Sequence, residues 1–206
     1  MSIDLDQSFF LDRNQEVRIH DNIIPLWDQQ NKLQFVTFRC IDSIPVSERE
    51  YFESIKKWYE VTYPKPWSDE IELQYNQKIT ERVETLLDNG YGKCLLRFPE
   101  YRIEVDRALR YFDEKRYFII GYVIMPNHVH VLMYMIGDNL IEDSLKSIKK
   151  FSAVQINRKL GTRGHFWAGI NYCRLIRNYE HYEKTKLYIA KNPENLKEGE
   201  YSLYFA

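Results

Sequence analysis

The chain has 206 residues, 44% of them apolar and 15% aromatic, enough to bury a full core in one globular domain and unlike a fibrous or disordered composition. No apolar run approaches the ~20 residues of a membrane span, and Met1 to Asp6 lack a basic-then-apolar leader, so a cytoplasmic protein without membrane contact is expected. Cys40, Cys94 and Cys173 are odd in number and widely spaced, which suits reduced thiols and offers no zinc pattern. The net charge of −1 conceals an asymmetry: between Leu145 and Lys191 eleven Lys and Arg face only Glu180 and Glu183, an excess of +9, and the rest of the chain carries −10. A local basic surface of this kind attracts phosphate.

Residues 1–32 lack a clear period and are read as an N-terminal arm, with 33–206 as a single domain. Lys32 to Cys40 alternates as a first strand, apolar enough on both faces to be central. Ser47 with Glu50 reads as a capping box opening a helix that ends near Tyr63-Pro64-Lys65-Pro66. A second helix over 69–89 buries Ile79, Val83, Leu86 and Leu87 and stops at Asn89-Gly90. Pro99 starts a third, with Val105, Ala108, Leu109 and Phe112 at i, i+3, i+4 and i+7.

The next stretch organises the rest. Arg116 to Ile124 and His128 to Met135 are β-rich runs separated only by Met125-Pro126-Asn127, which predicts a hairpin. Alternation puts His128, His130, Leu132 and Tyr134 on one face of its second strand and Val129, Val131, Met133 and Met135 on the core face. Two imidazoles then project side by side from a rigid strand, an arrangement suited to holding one metal ion.

A helix from about Asn139 to Leu160 follows, with Ile141, Leu145 and Ile148 inward and Lys146, Lys149 and Lys150 on another face. A short strand near Tyr172 to Ile176 leads to a last helix capped by Asn178 and ended by Asn192-Pro193. On that helix His181, Lys184, Lys191 and Asn192 lie within about 60° of Tyr188, whereas Tyr182 falls on the packing side near Ile189. The order of elements fits an α+β protein, an antiparallel sheet with helices packed mainly on one face.

The stretch Tyr122-Val-Ile-Met-Pro-Asn-His-Val-His-Val-Leu132 resembles the HUH motif (His, hydrophobic residue, His) of single-tyrosine DNA transesterases, in the form typical of REP-associated tyrosine transposases. Tyr188-Ile-Ala-Lys-Asn-Pro193 is similar to the segment in which that family carries its nucleophile. Trp167-Ala-Gly169, Arg174 to Asn178 and Phe35-Val-Thr-Phe-Arg39 resemble further family segments, so the likeness spans roughly residues 33–193. It implies a ferredoxin-like HUH nuclease fold, Tyr188 as the nucleophile, and His128, His130 and Asn192 as ligands of Mg²⁺ or Mn²⁺. The i,i+4 relation of Tyr188 and Asn192 aims both at one place. Single-stranded or hairpin DNA, REP-like hairpins first, is the implied substrate, cut through a 5′-phosphotyrosine with a free 3′-hydroxyl.

Lys146, Lys149, Lys150, Arg158, Arg174, Arg177, Lys184 and Lys191 are the expected phosphate contacts. A monomer is favoured, with a homodimer as the alternative. The chain departs from the family in its short segment after Asn-Pro, ending at Ala206, and in its acidic N-terminal half. A histidine-triad hydrolase would need a third histidine at 132, where Leu132 stands. The rival reading is a domesticated, non-catalytic single-stranded nucleic-acid-binding protein, which needs only the basic half and exposed aromatics.

Overall fold

The computed structural model describes residues 5–20 and 26–206; residues 1–4 and 21–25 of the expected arm lie outside the described residues. In chain order the elements are β1 (Arg18–His20), β2 (Leu26–Asp28), β3 (Leu33–Arg39), α1 (Val46–Thr62), α2 (Asp69–Asp88), α3 (Pro99–Tyr111), β4 (Tyr117–Ile124), β5 (His128–Met135), α4 (Ile141–Leu160), β6 (Tyr172–Leu175), α5 (Tyr179–Lys191) and β7 (Ser202–Phe205). Five strands form one sheet in the order β6-β3-β5-β4-β7, every neighbour antiparallel. Without β7, the strands from β3 to β6 lie in the order fourth, first, third, second. Together with α3 and α4 in the two crossovers this is a ferredoxin-like βαββαβ unit.

Each face of the sheet has its own core. Val36 and Phe38 of β3 and Val129, Val131 and Met133 of β5 pack with Val105 and Leu109 of α3 and Leu145, Ile148 and Ile156 of α4. On the reverse face Leu33, Phe35 and Leu132 pack with Tyr182 and Ile189 of α5 and with Phe10 of the N-terminal segment. The expectation of helices mainly on one face thus describes the two crossover helices, while α5 takes the other. Period-2 alternation on β3 and β5 puts large apolar side chains on both faces, so neither can face water.

The N-terminal segment is tied down where it is described. Leu11 N–H donates to the Ile176 carbonyl at 2.9 Å, Lys32 Nζ donates to the Ser8 carbonyl at 2.9 Å, and β1 pairs antiparallel with β2.

The helix termini show which local signals win. Ser68 caps α2 by accepting from Ile71 N–H, Asn178 caps α5 by accepting from His181 N–H at 2.8 Å, and Pro99 opens α3. The expected capping box at Ser47 and Glu50 is not used: Pro45, with ψ of 150°, takes the cap position, and α1 begins one residue before Ser47. Proline's fixed φ sets where that helix can start.

A βαββαβ frame needs one helix in its first crossover, and this chain has three. The extra α1–α2 pair builds a third core from Phe52 and Tyr59 of α1 and Tyr75, Ile79 and Leu86 of α2, with Tyr172 of β6 packed against it. At the opposite edge β7 closes the sheet against β4. Gly121 makes this approach possible, since a Cβ there would lie 2.4 Å from the Phe205 ring. A register shift between Ile119 and Gly121 re-aims β4 at the same place.

Candidate active site

The β4–β5 turn is pinned from three sides. Met125 N–H donates to the His128 carbonyl at 2.9 Å, Cys40 N–H to the Asn127 carbonyl at 2.8 Å and Leu96 N–H to the Pro126 carbonyl at 3.0 Å. The turn therefore presents β5 with His128 and His130 on the α5 face, both 1% exposed. Cross-strand register sets Arg39 opposite His128 and Thr37 opposite His130, with Tyr172 opposite Thr37 on the next strand.

Each imidazole is held from behind. Asn127 Oδ1 lies 2.7 Å from His128 Nδ1, and Thr37 Oγ1 lies 2.7 Å from His130 Nδ1. A carbonyl oxygen can only accept, so His128 Nδ1 carries the proton and its Nε2 lone pair is bare. The two Nε2 atoms face each other at 3.1 Å. Burial pushes the His128 imidazole down to about 3, opposed in part by the nearby Asn192 amide. It also takes His130 well below its usual range, with His128 adding to the drop. Both rings are neutral at pH 7, the form that ligates metals.

Asn178 starts α5 in the phase that brings Tyr188 and Asn192 over this pair. The Tyr188 hydroxyl lies 3.4 Å from His130 Nε2. Its ring stands edge-on to Phe35, centroids 5.8 Å apart and 89° between planes. Burial raises the Tyr188 phenol above its usual value, Glu84 and Asp88 of α2 add to the rise, and Arg174 opposes it. Asn192 Oδ1 is buried and has no hydrogen-bond partner among the described residues. Such an atom is costly unless something outside the chain satisfies it. Two convergent imidazole nitrogens and one orphaned amide oxygen are a donor set that fits a divalent cation. Among the described residues no three His, Cys, Asp or Glu side chains are clustered to hold a metal, and this amide is the further donor that the geometry offers beside the two imidazoles.

The sequence-predicted residues divide. His128, His130, Tyr188 and Asn192 come together. Of the expected phosphate contacts, Arg174 stands close enough to influence Tyr188, and Arg177, Lys184 and Lys191 are exposed at or on α5, Lys184 being paired with Glu180 at 2.6 Å. Lys146, Lys150 and Arg158 are exposed on α4, which packs on the reverse face of the sheet from α5. Lys149 is a correction: its Nζ donates to the Ala168 carbonyl at 2.6 Å and to Asn171 Oδ1 at 2.8 Å, tying α4 to the chain before β6 rather than reaching outward. The +9 stretch is continuous in sequence but split in space by the sheet.

Sequence reasoning missed Thr37 and Asn127 as the groups that orient the histidines. Asn127 also donates to the Leu87 and Tyr91 carbonyls at 3.2 and 3.1 Å, linking the end of α2 to His128. No local signal marks Thr37; only the β3–β5 register shows it.

Residues 102–192, from α3 through α5 and Asn192, match the family model described as "Transposase IS200 like". The resemblance to a single-tyrosine transposase read from the motifs therefore holds, and a transposase-like function on DNA is supported. No curated protein gives a significant match. A solved structure described as "Structure of the REP associates tyrosine transposase bound to a REP hairpin" is 17% identical, covers 81% of this chain and 69% of its own, and aligns with a TM-score of 0.43, a similarity too low to carry an argument. No helix among the described residues is long and apolar enough to cross a membrane.

Proposed function

We propose that this protein is a metal-dependent single-stranded DNA transesterase that cleaves and rejoins hairpin or REP-like DNA through a 5′-phosphotyrosine on Tyr188. The observation that carries the reading is the Tyr188 hydroxyl at 3.4 Å from His130 Nε2, beside a second imidazole and an unsatisfied buried amide oxygen. A Mg²⁺ or Mn²⁺ ion held by His128, His130 and Asn192 would supply Lewis-acid stabilisation of charge on the phosphate.

The chain's own residues do the rest. Thr37 and Asn127 fix the imidazole orientations, and Phe35 and α5 fix the phenol. Tyr188 Oη forms a bond to phosphorus as the bond to the 3′-oxygen breaks. The phenol proton passes to solvent, and the leaving 3′-oxygen takes up one to become a hydroxyl. Because one phosphodiester replaces another, a later hydroxyl can reverse the attack and join strands without ATP. Arg174, Arg177 and Lys191 would track the backbone of the bound strand.

The test is a labelled DNA hairpin with single-stranded flanks, incubated with Mn²⁺ and resolved on a denaturing gel. A protein-linked band is expected from the wild type. Hairpin binding without any covalent product under Mg²⁺ or Mn²⁺ would favour a non-catalytic nucleic-acid-binding protein instead.

A further inference from the structure

Between the α1–α2 pair and the β3–β6 end of the sheet lies a cleft of about 300 Å³. Its walls are apolar, with Phe52 from α1, Val83 and Leu87 from α2, and Ile170 and Tyr172 on the strand side. Polar side chains also line it, among them Arg39, Glu53 and Asn171. Thr37 lines it too, and the Thr37 hydroxyl is 2.7 Å from His130 Nδ1. One side chain therefore separates the cleft from the histidine–tyrosine centre. The same α2 that forms its wall is bonded through Asn127 to His128.

We infer that this cleft seats one unstacked nucleobase of the single strand whose phosphate lies at Tyr188, and that it reads that base. The inference rests on the proposed action on single-stranded DNA. Three features select the occupant. The volume lies at the lower limit for small-molecule sites and admits a single flat ring system rather than a helix. A carboxylate at the mouth, Glu53, repels phosphate, so the backbone belongs outside on the Arg174 and Lys191 side. An apolar slot with few polar groups is what a base requires, since its faces stack on aromatic and apolar side chains and its edge takes hydrogen bonds. Glu53 can accept from the amino or imino groups of a base edge, and Arg39 can donate to ring nitrogens and carbonyl oxygens. The α1–α2 pair is additional to the βαββαβ frame. The seat is thus built by an addition to that frame.

The experiment is selection from a pool of single-stranded DNA 20-mers of random sequence, with sequencing of the retained strands, for the wild type, Gly169→Trp and Glu53→Lys. Gly169 lines the cleft, and a Cβ there meets nothing within 4 Å, so a side chain can start from it without displacing the backbone. Glu53 is exposed, so its replacement leaves the fold intact. Wild-type protein should enrich one base strongly at one position. Gly169→Trp should lose that preference and bind the selected strand about tenfold more weakly, the scale of one base-stacking interaction. Glu53→Lys should change which base is preferred. Identical preferences in all three proteins, with normal thermal melts, would overturn the seat while leaving single-strand binding standing. Failure of the wild type to retain any DNA would remove both the seat and the proposed function.

Discussion

Asn127 Oδ1 accepts the proton of His128 Nδ1 at 2.7 Å, and the other end of the same amide is held by the Leu87 and Tyr91 carbonyls. The orientation of one imidazole is therefore set by the end of α2. Asn127→Ala should free the ring and leave buried groups unpaired. We predict about 1–3 kcal/mol lost in urea unfolding and a 10–100-fold weaker Mn²⁺ affinity by calorimetry. Unchanged Mn²⁺ binding by a folded variant would show that the amide does not orient a ligand.

Tyr188→Phe keeps the ring against Phe35 and removes only the hydroxyl facing His130. Hairpin DNA should bind within about twofold of wild type, with no protein-linked band on a denaturing gel. Tyr182 is 9% exposed and packed in the core of that face, so Tyr182→Phe should still form the adduct. A band from Tyr188→Phe equal to wild type would move the nucleophile elsewhere.

Asn192→Ala deletes a buried oxygen beside the histidines that has no hydrogen-bond partner among the described residues. Cleavage should fall at low Mn²⁺ and partly return as Mn²⁺ rises, because mass action compensates for a weakened site. His128→Ala with His130→Ala should not be rescued at any concentration. Equal metal dependence for wild type and Asn192→Ala would exclude the amide as a ligand.

Because α4 and α5 lie on opposite faces of the sheet, the basic residues should not contribute equally. Charge removal at Arg174, Arg177 and Lys191 should weaken single-strand binding and flatten its salt dependence, by roughly 0.7 in log–log slope for each phosphate no longer neutralised. Removal at Lys146, Lys150 and Arg158 should leave both within error. The reverse pattern in filter binding would put the strand on the α4 side.

Arg102 is 5% exposed. It donates to Ser202 Oγ at 2.7 Å and to the Leu96, Arg97 and Gly199 carbonyls at 3.0, 2.8 and 2.8 Å, stitching α3 to the start of β7 and the turn before it. Arg102→Met should cost roughly 2–4 kcal/mol, since the carbonyls it leaves behind are costly to bury unpaired. A loss below about 0.5 kcal/mol in urea unfolding would show that water replaces the guanidinium without penalty.

The parts of this fold written in short-range pattern were legible. The β4–β5 hairpin, the phase of α5 and the cap at Asn178 follow from period, turn residues and side-chain acceptors within a few positions. Alternation put His128 and His130 on one face and helical spacing put Asn192 beside Tyr188, while the resemblance singled out Tyr188 and Asn192 among the polar residues of that helix. What escaped depends on contacts distant in sequence. Thr37 meets His130 across 93 residues, and β7 is four residues long and exists through its fit to Gly121. The division of the basic stretch between two faces was not legible, because sequence adjacency says nothing about which side of a sheet a helix will cover.

The neighbouring interior strands β3 and β5 are separated in the chain by the whole three-helix crossover and β4, and the Thr37–His130 bond closes that span. Pairing of this kind must close a long loop before it gains any stabilisation, so it comes slowly. Local pieces such as the β4–β5 hairpin and α5 can form early, yet the His130 ring acquires its fixed orientation only once β3 has docked. Nicking competence should therefore be among the last properties that a newly made chain acquires, and an incompletely folded molecule should be harmless to DNA.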